Sequence, residues 1–214
     1  QMCIRDRFGM VNSLAQLLLK LTSPGVPDIY QGNEVWNFRL VDPDNRQPID
    51  FEHRKTLLNE LHTSLSGQTA ANADYITHII ENIADGRLKL YTTWSTLSYR
   101  RRYMELFESG TYVPLQVAGS KKEHLCAFAR RGSEKTIITV VPRLCVRLLK
   151  GRAGMLPCGP EVWEDTKLIM PKDSGEKLRN IFTGEEMSAD NGPEKLIPAA
   201  AIFSSFPVAL LENT

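Results

Sequence analysis

The hydrophobic period of this chain changes once, near residue 108, and that change restricts the fold more than any other feature. Before it, apolar residues recur at the three-and-four spacing of an amphipathic helix. They are Met10, Leu14, Leu17, Leu18 and Leu21 in residues 8–21, then Phe51, Leu57, Leu58, Leu61 and Leu65 in residues 51–65. Ile76, Ile79, Ile80 and Ile83 follow, and beyond the Asp85-Gly86 turn a fourth helix is expected over residues 87–107, with Leu90, Trp94 and Leu97 inward. After residue 108, short runs rich in β-branched and apolar residues alternate with Gly, Lys, Ser and Asp turns. These runs are residues 112–117, 124–130, 135–141, 168–170, 178–182 and 207–211, with Arg131-Gly132-Ser133-Glu134 as a hairpin loop between the second and third. The expected class is α+β, with a helical part over residues 8–108 and an antiparallel β-sandwich over 109–214.

Length and charge narrow what such a chain does. Its 214 residues suffice for a sizeable core. With 26 basic against 25 acidic residues, it offers no electrostatic case for nucleic acid or an anionic membrane. Cys3, Cys126, Cys145 and Cys158 are scattered, without a C-x-x-C pair, and read as free thiols of a reducing, cytoplasmic compartment. His53, His62, His78 and His124 form neither H-x-H nor H-E-x-x-H, so no metal or other cofactor is expected. No run approaches the roughly 18 apolar residues that span a bilayer.

The chemistry concentrates in residues 23–50, SPGVPDIYQGNEVWNFRLVDPDNRQPID. Ser23-Pro24-Gly25 stops the first helix. Residues 26–30 then read as a short buried strand, although Pro27 argues against a central place in a ladder. A helix, a tight turn and a buried strand make an αβ unit of the kind found in parallel sheets and barrels. Where a barrel strand ends, its following loop faces the active site. That loop carries Tyr30, Gln31, Glu34, Trp36, Asp42, Asp44, Asn45 and Arg46. Rings stack on the apolar faces of sugars while carboxylates and amides take the hydroxyls, so these eight are the candidate substrate-binding residues. The competing reading is structural, with Arg46 paired to Asp42 or Asp44 and Trp36 plugging the barrel mouth.

Other readings of the charged residues are weaker. Retaining glycosidases need two carboxyls roughly 5 Å apart, one of them in an apolar pocket, and nothing local supplies such a pocket for Glu34, Asp42 or Asp44. No catalytic residue is therefore assigned. The run from Asp42 to Gln47 lacks the glycine and the closing glutamate of a calcium loop. Arg100, Arg101 and Arg102 with Arg130 and Arg131 fit a solvated helix end and a hairpin tip.

Gly25, Pro27, Tyr30, Gly32 and Glu34 form the pattern G-x-P-x-x-Y-x-G-x-E, which resembles the last barrel strand of the α-amylase superfamily, glycoside hydrolase family 13. The continuation VDPDNRQPIDF and the later segments ITVVPRL, EVWEDTKL, IFTGEE and FPVALL, which look like a C-terminal β domain, are similar to the maltooligosyltrehalose synthases, glucan mutases of that superfamily. QMCIRDR, residues 1–7, matches no part of that pattern and is read as non-native. Asn37-Phe38-Arg39 also departs from it. The resemblance implies the end of a (β/α)8 barrel, with its last strand and flanking helices, followed by a β-sandwich. It implies a maltooligosaccharide or glycogen-derived α-1,4-glucan as substrate, isomerised to a trehalose-type end, and a functional link to a trehalose-releasing hydrolase. The catalytic carboxylates would precede this stretch, which leaves the 214-residue chain inactive by itself. It would also leave the apolar faces of residues 14–21 and 76–83 without partners. An amylase-type hydrolase and a non-catalytic glucan-binding sandwich are the alternatives.

Overall fold

A computed structural model of the chain describes residues 2–38, 48–65, 73–133, 135–171, 175, 177–190 and 194–213. Helix α1 covers Met2–Thr22 and so includes the segment read as non-native, from which the Arg7 guanidinium donates to the Gly154 carbonyl at 3.2 Å. Helix α2 spans Phe51–Leu65 and starts where Asp50 predicts, its carboxylate accepting the His53 N–H at 2.8 Å. Leu57, Leu61 and Leu65 are buried, but Phe51 is 57% exposed. As the first helical residue, it projects back past the packed face.

Helix α3 (Ala73–Glu81) leads through a 3-10 turn at Ile83–Asp85 into α4 (Arg87–Arg102). The fourth helix is not continuous to residue 107. It breaks at Tyr103 (φ −117°, ψ 50°), and α5 (Met104–Ser109) leaves at a new angle that carries Leu106 and Phe107 into the core. Buried threonines on α4 satisfy themselves: Thr92, Thr93 and Thr96 each donate to the carbonyl four residues back, at 2.7–2.8 Å.

Among the described residues nine short strands follow: β1 (Thr111–Pro114), β2 (Val117–Ala118), β3 (Leu125–Arg131), β4 (Thr136–Pro142), β5 (Lys167–Ile169), β6 (Lys177–Asn180), β7 (Glu186–Ser188), β8 (Leu196–Pro198) and β9 (Ala209–Asn213). They form an antiparallel six-stranded sheet in the order β1-β3-β4-β9-β6-β7 and a three-stranded sheet β2-β5-β8. The hairpin between β3 and β4 is as expected, closed by the Gly132 N–H on the Lys135 carbonyl at 2.9 Å; its residue Glu134 lies outside the described residues. The single strand expected over 112–117 is two, because the chain crosses from one sheet to the other at Leu115-Gln116. Strands β7 and β8 were not expected, since Glu186-Met187-Ser188 holds no β-branched residue and Leu196-Ile197-Pro198 ends in a proline. Helical turns α6 (Cys145–Leu148), α7 (Pro160–Trp163) and α8 (Ala199–Ile202) fill the connections.

The central strands β3, β4 and β9 of the six-stranded sheet are buried on both faces, whereas its edges β1 and β7 are largely exposed, and strand alternation decides what each central residue meets. On β4 and β9, Ile137, Val141 and Leu210 pack with Leu14, Leu18 and Tyr91 of the helices. Ile138, Val140 and Leu211 point the other way, to Leu168 and Ile197 of the small sheet and to Trp163 and Phe203. The apolar faces expected to lose their partners therefore have them within this chain: Leu14, Leu18, Leu21, Ile76, Ile79 and Ile83 are all buried. Hydroxyls lock the layers. Tyr91 donates to the Phe182 carbonyl at 2.6 Å, Tyr99 to the Glu212 carboxylate at 3.0 Å, and Thr139 to Thr22 at 2.9 Å.

Two expectations are corrected. Arg130 is not at a solvated hairpin tip. It is 1% exposed, and its guanidinium donates to the carbonyls of Thr22, Leu106, Phe107 and Gly110 at 2.8–3.3 Å. Arg100 likewise reaches the Leu21 and Gly25 carbonyls at 2.9 and 2.8 Å. The two side chains satisfy the C-terminal ends of α1 and α5, where helices leave acceptors open. The second correction concerns residues 26–30, which form no strand. Among the described residues no ladder partner lies beside them, and Val26 is 96% exposed. Among the described residues, no helix is long and apolar enough to cross a membrane.

Candidate functional site

Tyr30 to Asn33 make a tight turn, closed by the Asn33 N–H on the Tyr30 carbonyl at 3.2 Å. Its third residue, Gly32, has φ 90°, which an L side chain adopts at a cost. A Cβ there would also stand 3.1 Å from Ile49 Cδ1. This turn brings the loop against the start of α2. Between them lies a cleft of about 190 Å³, walled by Tyr30, Gln31, Gly32, Trp36, Asn37, Pro48, Ile49, Asp50 and Arg54.

Of the eight candidate residues, four share this region. Tyr30 is 65% exposed and Gln31 is exposed, so both are free to meet a ligand. Glu34 is committed elsewhere: its carboxylate pairs with the Arg54 guanidinium at 3.1 Å. Arg54 also donates to the carbonyls of Gly32 and Asp50, at 2.9 and 3.0 Å, and so ties the loop to α2. Trp36 is half-buried, its indole N–H donating to the Ile83 carbonyl at 2.5 Å, in keeping with the structural reading of that residue. Asp42, Asp44, Asn45 and Arg46 lie outside the described residues, as does Arg39 of the divergent Asn37-Phe38-Arg39 turn.

Sequence reading missed Arg54 and Lys89. Arg54 sits one turn into α2, and nothing in its neighbourhood distinguishes it from a solvated helix residue. Lys89 had a faint signal: it begins a polar stripe with Thr92, Thr93 and Thr96 that turns inward, an unusual place for a lysine. It is 7% exposed, its ammonium donates to the Val35 carbonyl at 3.1 Å, and it lies 5.8 Å from the centre of the Trp36 ring. Burial first, and then the neighbouring Lys20 charge, lower its proton affinity to about 8 against an ordinary 10.5, with Glu34 opposing them. Gly86, with φ 86°, completes the seat: a Cβ there would stand 2.8 Å from the Val35 Cβ.

A larger cavity of about 800 Å³ opens at the other end of α4, with Arg101, Arg102, Arg131 and Lys135 in its walls and Glu105 as the acidic residue among those described. Sugar recognition calls for rings and carboxylates, and Tyr103 is the ring this cavity offers. The smaller cleft is the better candidate. Among the described residues no group of three or more His, Cys, Asp or Glu is placed to hold a metal ion.

No family model matches the chain. A Mycobacterium tuberculosis protein named as a maltooligosyl trehalose synthase is 33% identical over 200 residues, which are 94% of this chain and 20% of that protein. The structure of maltooligosyltrehalose synthase from Arthrobacter ramosus superposes with a TM-score of 0.71 at 33% identity, over 96% of this chain and 22% of that one. An Anoxybacillus α-amylase matches with a TM-score of 0.54 at 14% identity, over 95% of this chain and 32% of that one, which shows a shared fold alone. The chain thus spans about a fifth of the length of the synthases it matches. On this likeness across nearly its whole length, the chain belongs to the maltooligosyltrehalose synthase family.

Proposed function

We propose that this chain is the C-terminal part of an enzyme that isomerises the reducing end of α-1,4-glucans to an α,α-1,1 linkage. The observation that carries the reading is 33% identity to synthases over 94% of the chain. On it, residues 26–30, which form no strand here, would pair as the last stave of a (β/α)8 barrel in the whole enzyme, with α1 and α4 flanking them, and the sheets after residue 108 would be the sandwich that follows the barrel. An unpaired segment in residues 26–30, with Val26 almost wholly exposed, fits a strand whose neighbours belong to the rest of a barrel.

In the whole enzyme, a carboxylate outside this chain attacks the anomeric carbon of the terminal α-1,4 linkage, and a general acid protonates the departing glucose oxygen. The freed glucose turns within the site. Its own anomeric hydroxyl then displaces the carboxylate, returning one proton to the acid/base group, and no water is consumed. Mutase behaviour requires that water be kept out while the glucose is held. The contribution of this chain is a wall. Tyr30 supplies an exposed ring and Gln31 an amide beside the 190 Å³ cleft, while Glu34, Arg54 and Trp36 fix the loop beneath them. Asp42, Asp44, Asn45 and Arg46, outside the described residues, are proposed as further substrate contacts on the likeness to the synthases alone. The product, a trehalose-ended glucan, suits a hydrolase that releases trehalose, and the thiols at Cys126, Cys145 and Cys158 fit a reducing cytoplasm.

Tyr30→Ala tests the wall. In the whole enzyme acting on maltohexaose, free glucose should rise several-fold relative to the non-reducing product, with folding stability unchanged because the ring is exposed. An unaltered product ratio would remove this loop from the site.

A further inference from the structure

Lys89 is a costly residue that no sugar contact explains. A charge at 7% exposure is expensive unless paired. Lys89 also lies in the first turn of α4, where the helix dipole opposes a positive charge. Its hydrogen-bond acceptor among the described residues is a neutral one, the Val35 carbonyl at 3.1 Å. Behind it is a second cleft of about 180 Å³, with Ser13, Gln16, Lys20 and Asn33 in its walls and no carboxylate among its lining residues.

We propose that Lys89 is a positioning residue, a buried ammonium whose bond to Val35 and seat beside Trp36 hold the Glu34–Trp36 loop in the shape that walls the glucan cleft. This rests on reading that loop as the sugar-facing wall. Among the described residues three contacts dock the loop on the 3-10 turn and the start of α4: the Lys89 bond, the Trp36 indole on the Ile83 carbonyl at 2.5 Å, and the close approach of Val35 to Gly86. The last two involve no ionising group. Lys89 alone of the three can change its charge, and with it lose both a charge-assisted hydrogen bond and a cation–ring attraction.

The charged groups that face Lys89 among the described residues are Lys20 on α1 and Glu34 on the loop, the latter held by Arg54 of α2. Burial and Lys20 outweigh Glu34, so the proton leaves near pH 8. Local grip and global stability then respond with opposite signs. The folded chain holds fewer protons than the unfolded one between pH 8 and 10.5, so the stability contribution of Lys89 rises with pH across that window. The loop loosens over the same range because the amine grips Val35 and Trp36 less firmly. A lysine that merely braced the fold would not separate the two.

The test uses the whole protein carrying this chain, labelled with 5-fluorotryptophan, its Trp36 signal assigned by loss in Trp36→Phe. The signal should titrate with a midpoint near pH 8, stay flat in Lys89→Met, and keep its acid-side position to above pH 9 in Lys89→Arg, which also controls for misfolding of the Met variant. A Trp36 signal that does not move between pH 6.5 and 9.5, or that moves equally in Lys89→Met, overturns the proposal. Turnover of maltohexaose forms the second arm. One unit above the midpoint about a tenth of the lysines keep the proton, so kcat at pH 9 should fall about tenfold below its plateau, and Lys89→Arg should restore it. Titration of Trp36 with an unchanged rate profile would leave Lys89 gripping a loop that is not part of the glucan site, and so reject the sugar-facing reading separately.

Discussion

Strand β4 and residues 26–30 look alike as sequence and differ completely as structure. Each is a short run rich in β-branched and apolar residues, and each contains a proline. β4 lies between β3 and β9, bonded to both, and Ile137, Ile138, Val140 and Val141 are buried. Residues 26–30 have no ladder partner among the described residues, and Val26 and Tyr30 lie in the open. Burial of a strand belongs to its neighbours, because one strand cannot satisfy its own N–H and C=O groups. The contrast extends to the regions around them. The sheet region builds its ladders within this chain, whereas residues 26–30, beside the candidate cleft, find no ladder partner among the described residues.

If the two regions nevertheless form one cooperative unit, Arg130 is the place to break it. From β3 it reaches the carbonyls of Thr22 on α1 and of Leu106 and Phe107 on α5. Arg130→Met takes this donor from the Thr22 and Phe107 carbonyls, while the Leu106 carbonyl keeps the Gly110 N–H at 3.1 Å, and we expect a loss of about 2–4 kcal/mol in urea unfolding, from about 1–3 kcal/mol per buried acceptor left unmade. Arg130→Lys should recover little, since an ammonium cannot reproduce the fixed fork of donors. A loss below about 1 kcal/mol, within the range of a single ordinary hydrogen bond, would mean that helices and sheet stand independently.

How legible was this in the sequence? Helix periods, the Asp50 cap, the Pro24-Gly25 stop and the β3–β4 hairpin were all readable, because each depends on residues close together in the chain. Arg130 was not. Its neighbours Ala129 and Arg131 sit at a hairpin, and only the distant carbonyls of α1 and α5 make its position interior. The same holds for the break at Tyr103, set by where Leu106 and Phe107 must go, and for β7 and β8, three residues each. At the candidate site, residue types were legible but commitments were not. Glu34 looked available for a sugar until Arg54, twenty positions on, was found to hold it.

Gly86→Ala sharpens the comparison by acting on one region. It forces a side chain into φ 86° and places its Cβ 2.8 Å from Val35. The backbone term alone is about 1–2 kcal/mol, and the contact adds to it, so we expect a loss of about 2 kcal/mol in thermal unfolding. The fluorine signal of Trp36 should shift in the native state while that of Trp163, buried in the sheet region, should not. A shift at both would show that the loop and the far side of the sheet move together.

Asp50→Ala should have the smallest effect. It removes one acceptor, the partner of the His53 N–H, from an exposed helix end, and such caps are worth about 1 kcal/mol. Solvent can take over that N–H, which is why the expected loss falls below that of stranding the buried carbonyls around Arg130. Hydrogen exchange should accelerate in the first turn of α2 and remain unchanged in β4 and β9. The Arg54 tie to the Asp50 carbonyl uses the backbone and survives the substitution, so the cleft should keep its shape even as the helix frays. If β4 exchanges faster as well, the opening of α2 is a step in global unfolding, and the cleft region shares the stability of the sheet.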